Sequence, residues 1–508
     1  MDQIVTSSYE HKLGHVYHKI DNRGILIDVN KLKKTEDVIE SELIAICDYL
    51  SQNWNINVYV GKDDFKRVAG NTGYAKALNL NSPSTLLESL QDLGFKVPKI
   101  RKKDAETHEY EFVESVAELA LRKLYGDPSL WPASTAGEGI KRVLDAREMI
   151  TFRNRYVRAK LYKNRYYSNY NVAGTITGRR GSKKNIFGLG GNAQNFPSRG
   201  TYAEAWKECL IPKPGYIFFM VDQMQAEDWP VQALSQNYEA LDDMRHGINR
   251  HYKFASAIFN KTIDDLKIGR KSQDALLRAQ ADMEYNLGKR GRHANNYGMQ
   301  PTKMSEMLAA EGYSVPPSMC KMILETINRI DPNVKQVFHK YIQDCIFNSR
   351  VLRTPLGRER QFFGLRQHDK NYSILNEAYS WIPQSTVGDN TGIAILWLDG
   401  CNCYVIQESH DSVCQEVPDD EQELLRVYRD TRAAFKRTIT FHNGIQEEIP
   451  IEGKIGLNWH DTITINDSVD DFTEEKVVIA YRKLKELRQQ LEERNASTAT
   501  GVVAGSLS

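Results

Sequence analysis

Asp222 ends an apolar, aromatic and branched run, Tyr216 to Val221, and Asp411 follows His410 between two strand-like runs in CNCYVIQESHDSVCQEV. Alone, a strand-end aspartate is most often a helix cap, and Asp222 does lead through Gln223 to Glu227 into a helical segment with Pro230 near its first turn. Two carboxylates joined by a shared sheet are a different matter. With little to neutralise them they are a natural site for two Mg²⁺ ions, hard cations that take oxygen ligands and leave room for phosphate oxygens. In LGKRGRHANNYGM, Lys289, His293 and Tyr297 fall at i, i+4 and i+8, so a helix would carry an ammonium, an imidazole and a phenol ring on one face. That face suits a triphosphate on the lysine and a base stacked on the ring, although a plain basic surface helix has the same spacing. The loop Thr175 to Gly200 sets Arg179, Arg180, Lys183, Lys184 and Arg199 among glycines, as a surface lying along phosphates would require. Ahead of Pro197, Asn192, Gln194 and Asn195 add amides able to hydrogen-bond base edges or sugars. Together these parts make a device for phosphoryl transfer along nucleic acid.

The 508-residue chain is long enough for about three domains or one multi-lobed enzyme. Hydrophobic content of 41% and charged content of 26% describe a globular protein, and no apolar run approaches a membrane span. The N-terminus lacks the apolar core of a signal peptide, and seven cysteines without CxxC pairs read as reduced thiols, so a cytoplasmic location is expected. Cys401 and Cys403 would face one side of a strand. A net charge of +1 gives no global signal for nucleic acid. The local signal is in residues 151 to 170, where Arg153, Arg155, Arg158, Lys160, Lys163 and Arg165 alternate with five tyrosines and no acid. Cations beside stacking rings suit a nucleic-acid surface, and a solvated basic helix face has the same composition.

The positioning elements follow from period and punctuation. Residues 15 to 32 read as a short strand, a turn at Asn22 to Gly24, a second strand piece, then a helix to about Leu50. Asn81 or Ser82 caps a short helix carrying Leu86, Leu87, Leu90 and Leu93, ended by Gly94. Residues 231 to 350 read as mainly helical, and residues 401 to 417 as a hairpin with Asp411 at its turn. Past Asp461, the spacing of Val477, Ala480, Leu484, Leu487 and Leu491 predicts a helix docked on its own domain, with Asn495 to Ser508 a flexible tail.

The order T-x-T-G-R…N-x-Q-N-x-P-x-R (Thr175 to Arg199), D-x-x-x-x-E (Asp222 to Glu227), K-x-x-x-H-x-x-x-Y-G (Lys289 to Gly298), P-Q-x-T (Pro383 to Thr386) and H-D (His410, Asp411) resembles the polymerase domain of family A, polymerase I-like DNA polymerases, of phage-like type. The likeness runs over about residues 15 to 461. It implies an α+β right-hand polymerase fold, with an antiparallel palm sheet and helical fingers and thumb. The matching segments are 1–165 for an N-terminal palm segment and thumb, 166–232 for the first part of the palm, 233–349 for the fingers, 350–470 for the second part of the palm, and 471–508 for a C-terminal helix and tail.

The resemblance further implies primer extension with dNTPs by two-metal chemistry. Asp222 and Asp411 would hold two Mg²⁺ ions, which Mn²⁺ can replace, with the Gln223 carbonyl as a further ligand. Lys289 and His251 would contact the triphosphate, Glu227 would pack on the sugar and disfavour ribonucleotides, and His293 and Tyr297 would face the incoming base pair. Arg179, Gln384 and His410 match residues that read the primer terminus through the minor groove, where acceptors are shared by all base pairs; Gln194 and Asn195 belong to the same DNA-contacting set. Implied partners are primer–template DNA and dNTPs around a monomer, with any helicase, primase, processivity factor or proofreading exonuclease on separate proteins, since the chain begins almost where the polymerase domain does. Four positions depart from the pattern. Gln223 replaces an aromatic, Ser412 a glutamate, Tyr285 an arginine, and His293 a Phe or Tyr. A single-subunit RNA polymerase relative shares the hand, but Glu227 argues against it; a non-catalytic nucleic-acid-binding protein of this fold is the third alternative.

Overall fold

The computed structural model describes residues 5, 7–61, 76–103, 110–132, 137–197, 200–363, 372–466, 468 and 471–505. Its central strand is β1 (Tyr216–Gln223). With β2 (Val405–Ser409), β3 (Ser412–Pro418), β4 (Ile451–Gly456) and β5 (Thr462–Thr464) it forms an antiparallel sheet in the order β2-β3-β1-β4-β5. Side chains alternate across the pleat, so register decides which residues share a face. Asp222 stands opposite Ser412 of β3 on one side and Glu452 of β4 on the other. Ile217, Phe219 and Val221 point the other way, with Val413, Val417, Ile451 and Ile455, into a continuous apolar core.

Helices Ser7–Arg23, Tyr372–Gly400, Glu421–Phe435 and Glu474–Gly505 cover that core face. The sheet thus carries its apolar core on one side, and Asp222 lies on the other, where Phe218, Met220 and Cys414 are also buried. Residues 15 to 21, expected as strand, are helix, because Tyr9, Leu13, Val16, Tyr17 and Ile20 repeat every three or four residues and bury one stripe. The predicted turn survives at Gly24, with φ of +59°, before strand Ile25–Ile27 and the helix Val29–Trp54. Cys401 and Cys403 precede β2 in a turn rather than lying on a strand. All seven cysteines are free. The last helix packs through Val477, Ala480 and Leu484 and runs on to Gly505, past Asn495 where a tail was expected. An established helix propagates by one hydrogen bond per residue, and no proline interrupts it there.

A second core surrounds Trp229, Phe338 and Trp381. Beside it lie helices Arg250–Phe259, Ile263–Arg270 and Ala275–Asn296, capped by Asn249, Thr262 and Asp274. Apart from the helix Val29–Trp54, most of which falls in the other unit, these elements belong to one compact unit, residues 1–32, 159–299 and 323–508. The other unit, residues 33–158 and 300–322, borrows its second piece from the segment expected in the fingers. It holds helices Glu118–Gly126, Glu138–Phe152 and Pro301–Ala310, together with Pro83–Asp92, for which Ser82 is the N-cap as expected.

The basic run from 151 to 170 is partly consumed inside the fold. Arg153 is buried against Glu40 at 2.6 Å, and Arg158 pairs with Glu36 and Glu40 at 2.8 and 2.7 Å. Arg165 donates to the carbonyls of Arg23 and Gly24, while Tyr156, Tyr166 and Tyr170 are core residues. Arg155, Arg158, Lys160, Lys163 and Tyr162 remain exposed, so the run is a basic surface interrupted by buried residues rather than a continuous one.

Candidate active site

β1 delivers Asp222 to the face opposite the apolar core, and the two-residue turn between β2 and β3 delivers Asp411 beside it. The join is direct, since the Gln223 N–H donates to the Asp411 carbonyl at 3.2 Å. Both carboxyls are buried enough to be pushed above the usual carboxylate range. For Asp222 the cause is burial first, then the negative charges of Asp411 and Glu452; for Asp411 it is burial, opposed by Arg179 and Lys289. Asp222 Oδ1 is buried with no hydrogen-bond partner. A buried acceptor facing like charge is what a divalent cation satisfies. Among the described residues no cluster of three or more His, Cys, Asp or Glu has metal-ligating geometry. The protein therefore offers two carboxylates, and oxygens from elsewhere must complete any coordination shell.

The opposite wall comes from the helix Ala275–Asn296. It can lie close to Arg250–Phe259 because of Gly288, where a Cβ would sit 2.8 Å from the His251 carbonyl oxygen and 2.9 Å from the Ala255 nitrogen. That approach sets Lys289 beside His251. The helix then projects His293, and Tyr297 caps its end, with the two rings edge to face at 4.7 Å. Tyr297 donates its hydroxyl to Glu227, which also pairs with Arg179. Although burial acts to raise it, Arg179 and His293 hold the Glu227 carboxyl below its ordinary value. Burial, then the charges of Arg292 and Lys289, keeps His251 neutral, and its Nδ1 has no partner.

A cavity of about 580 Å³ gathers Asp222, Gln223, Glu227, His251, Lys289, His293, Tyr297 and Asp411, with Tyr285 and Glu452. A second cavity of about 520 Å³ shares Asp222 and Glu452 and is lined by Gln194, Ser412, Lys454 and Trp459. Gln194 is buried and donates to Glu408 at 3.3 Å, so its amide is already engaged. Arg180 is likewise spent inside, on the Tyr9 hydroxyl and the Gly388 carbonyl, and does not face a phosphate. Asn195 is exposed at the end of a single 3₁₀ turn, and Gln384 lies in the long helix; neither lines either of these two cavities. His410 sits in the Asp411 turn at φ of +62° with its Nδ1 buried and unpartnered. Arg199 lies outside the described residues.

Three site features escaped the sequence reading. Glu452 faces the same way as Asp222, which the alternation in IPIEGKIG would have shown once that strand was set beside β1. Arg292 and Asn296, both buried, grip Asp228 at 2.5 and 3.0 Å and so tie the segment after β1 to the Lys289 helix. Gln225, at φ of +49°, accepts from Arg292 at 3.2 Å. No single-residue pattern announces that tie.

Residues 50–461 match the profile of the family described as DNA polymerase family A. The chain is 20% identical over 475 residues to the DNA polymerase I of Caldicellulosiruptor bescii, covering 91% of this chain and 48% of that protein. It is 23% identical over 342 residues to the DNA polymerase of Bacillus phage SP01, covering 62% of this chain and 34% of that protein. The chain thus spans half or less of the length of these relatives. Among solved structures, the POL domain of Pol1 from M. smegmatis in complex with DNA primer-template and dNTP superposes with a TM-score of 0.67 at 16% identity, covering 89% of this chain and 70% of that one. That likeness confirms the right-hand polymerase fold.

Proposed function

The chain belongs to DNA polymerase family A, and from that footing we propose that it extends a primer 3′-hydroxyl with dNTPs under the direction of a template. The observation that supports this most is the meeting of Asp222 and Asp411 at the end of one sheet, in a cavity whose far wall carries Lys289. Asp222, Asp411 and the Gln223 carbonyl would hold two Mg²⁺ ions, which supply charge neutralisation for the attacking and leaving oxygens.

The chain's own residues do the rest by positioning. Lys289 offers an ammonium to the triphosphate, and neutral His251 a hydrogen bond to it. Glu227, fixed by Tyr297 and Arg179, closes the space where a 2′-hydroxyl would sit. His293 presents its ring to the incoming nucleotide, while Arg179, His410, Gln384 and Asn195 would contact the primer and template, with Gln194 held back by Glu408. The primer oxygen bonds to the α-phosphorus as the bond to the pyrophosphate oxygen breaks. We assign residues 166–232 and 350–470 mainly to the palm, 233–299 to the fingers and 33–158 to the thumb. Primer extension with dNTPs against rNTPs in Mg²⁺ is the test. Template-dependent incorporation of dNTPs, abolished by chelator, is expected; efficient unprimed RNA synthesis refutes the assignment.

A further inference from the structure

Gln223 stands where the resemblance calls for an aromatic ring, and its side chain is buried and fully engaged. Its Nε2 donates to Thr391 Oγ1 at 2.8 Å and to the Asp411 carbonyl at 3.2 Å. Its Oε1 accepts from Asn390 Nδ2 at 2.7 Å, and Asn390 Oδ1 accepts from Arg437 at 2.9 Å. The Thr391 hydroxyl, having accepted from Gln223, has the carbonyls of His410 and Val387 as acceptors for its own proton, each at 3.0 Å. The Asp411 carbonyl is therefore held by Gln223, and the His410 carbonyl shares the one Thr391 proton with Val387, both within the same small polar cluster. Phenylalanine and tryptophan offer no donor and acceptor pair, and a tyrosine hydroxyl has one proton where the Gln223 amide gives two donors and an acceptor.

The turn needs holding. A two-residue hairpin turn with φ above zero favours glycine, asparagine or aspartate, yet His410 adopts +62°. A non-glycine residue keeps such a conformation when its surroundings over-determine it. Thr391 on the His410 carbonyl, and the Gln223 amide and N–H on the Asp411 carbonyl, are those surroundings. We propose that Gln223 is a positioning residue. Its amide locks the Asp411 turn to the strand bearing Asp222 and to the helix Tyr372–Gly400, and so fixes how far apart the two carboxylates stand. The inference rests on the reading of Asp222 and Asp411 as the catalytic pair.

The test uses the full chain with primer–template. Wild type, Gln223→Leu, Thr391→Val, their double variant and Asp411→Ala are compared by steady-state kinetics, by Mn²⁺ binding in electron paramagnetic resonance without dNTP, and by thermal melting. Gln223→Leu is expected to lower kcat about 10- to 100-fold, since displacements near 1 Å have effects of that size, while the dNTP KM stays within about threefold. Mn²⁺ affinity should fall about tenfold with it. Thr391→Val should move kcat and Mn²⁺ affinity the same way by less, and the double variant should be no worse than Gln223→Leu, because both remove one lock. A folded Gln223→Leu with wild-type kcat and Mn²⁺ affinity overturns the proposal, as does additivity in the double variant. If Gln223→Leu does not fold, wild-type values for Thr391→Val overturn it. An inactive wild type whose Mn²⁺ binding ignores Asp411→Ala refutes the reading of the site, and this inference with it.

Discussion

Replacing Gly288 with alanine isolates the contact that brings Lys289 to His251. In an open helix position, Gly→Ala stabilises by about 1 kcal/mol, through helix propensity and a less flexible unfolded chain. At Gly288 the new methyl would meet backbone atoms of the neighbouring helix at 2.8 and 2.9 Å, about half an ångström inside van der Waals contact. Neither atom belongs to a side chain that can swing away. The helices must separate, and overpacking of this kind costs about 1–3 kcal/mol, so the net effect is destabilisation of up to about 2 kcal/mol. Separation also withdraws Lys289 from His251, and a loss of 1–2 kcal/mol in nucleotide binding corresponds to about a 5- to 30-fold rise in dNTP KM. Gly400, where an added Cβ meets nothing within 4 Å, is the matched control, and Gly400→Ala should leave KM unchanged and stability equal or higher. Thermal melts and dNTP titrations of the two variants are the assay. If Gly288→Ala is as stable as Gly400→Ala with an unchanged KM, the argued role of this contact is wrong.

Arg292→Met should destabilise by about 3–5 kcal/mol because it strands Asp228 in the interior, and adding Asp228→Leu should recover much of that loss in denaturant titration. His339, buried with Nε2–H donating to the Asn296 carbonyl at 2.8 Å, has its pKa lowered to about 4, chiefly by burial. Since the folded state resists the proton that the unfolded chain takes up near pH 6.5, stability should hold above that pH and fall by roughly 2 kcal/mol on going from pH 7 to 5. His339→Gln should flatten that slope, and an unchanged pH profile of melting refutes the assignment. His293→Tyr should change the use of sugar-modified nucleotides relative to dNTPs, as read by competitive incorporation; indistinguishable ratios sink that idea. Glu227→Ala should relax the exclusion of ribonucleotides, and an unaltered dNTP-to-rNTP ratio would count against Glu227 as the sugar gate.

Legibility in the sequence tracked how local each signal was. β1 and the Asp411 hairpin were readable because an apolar run and a turn are contained within a few residues. The Lys289 face was readable because Lys289 and His293 share one helix and Tyr297 caps it. The helix Ser7–Arg23 was not, because its apolar stripe begins before the window that suggested a strand. Residues 151 to 170 looked like an open basic surface because the acids that neutralise Arg153 and Arg158 lie on another helix, more than a hundred positions away. Glu452 and Gln223 took their meaning only from neighbours distant in sequence: Glu452 from the register that sets it opposite Asp222, Gln223 from Thr391 and Asn390 on the helix Tyr372–Gly400 and from Asp411.

The most direct measurement is Mg²⁺-dependent extension of a labelled primer by the wild type, Asp222→Ala and Asp411→Ala, with primer–template affinity measured alongside. Metal-assisted charge stabilisation of several kcal/mol predicts that each variant loses activity on the order of 10³-fold or more while still binding DNA. Extension by either variant at the wild-type rate would contradict the assignment of these carboxylates as the catalytic pair.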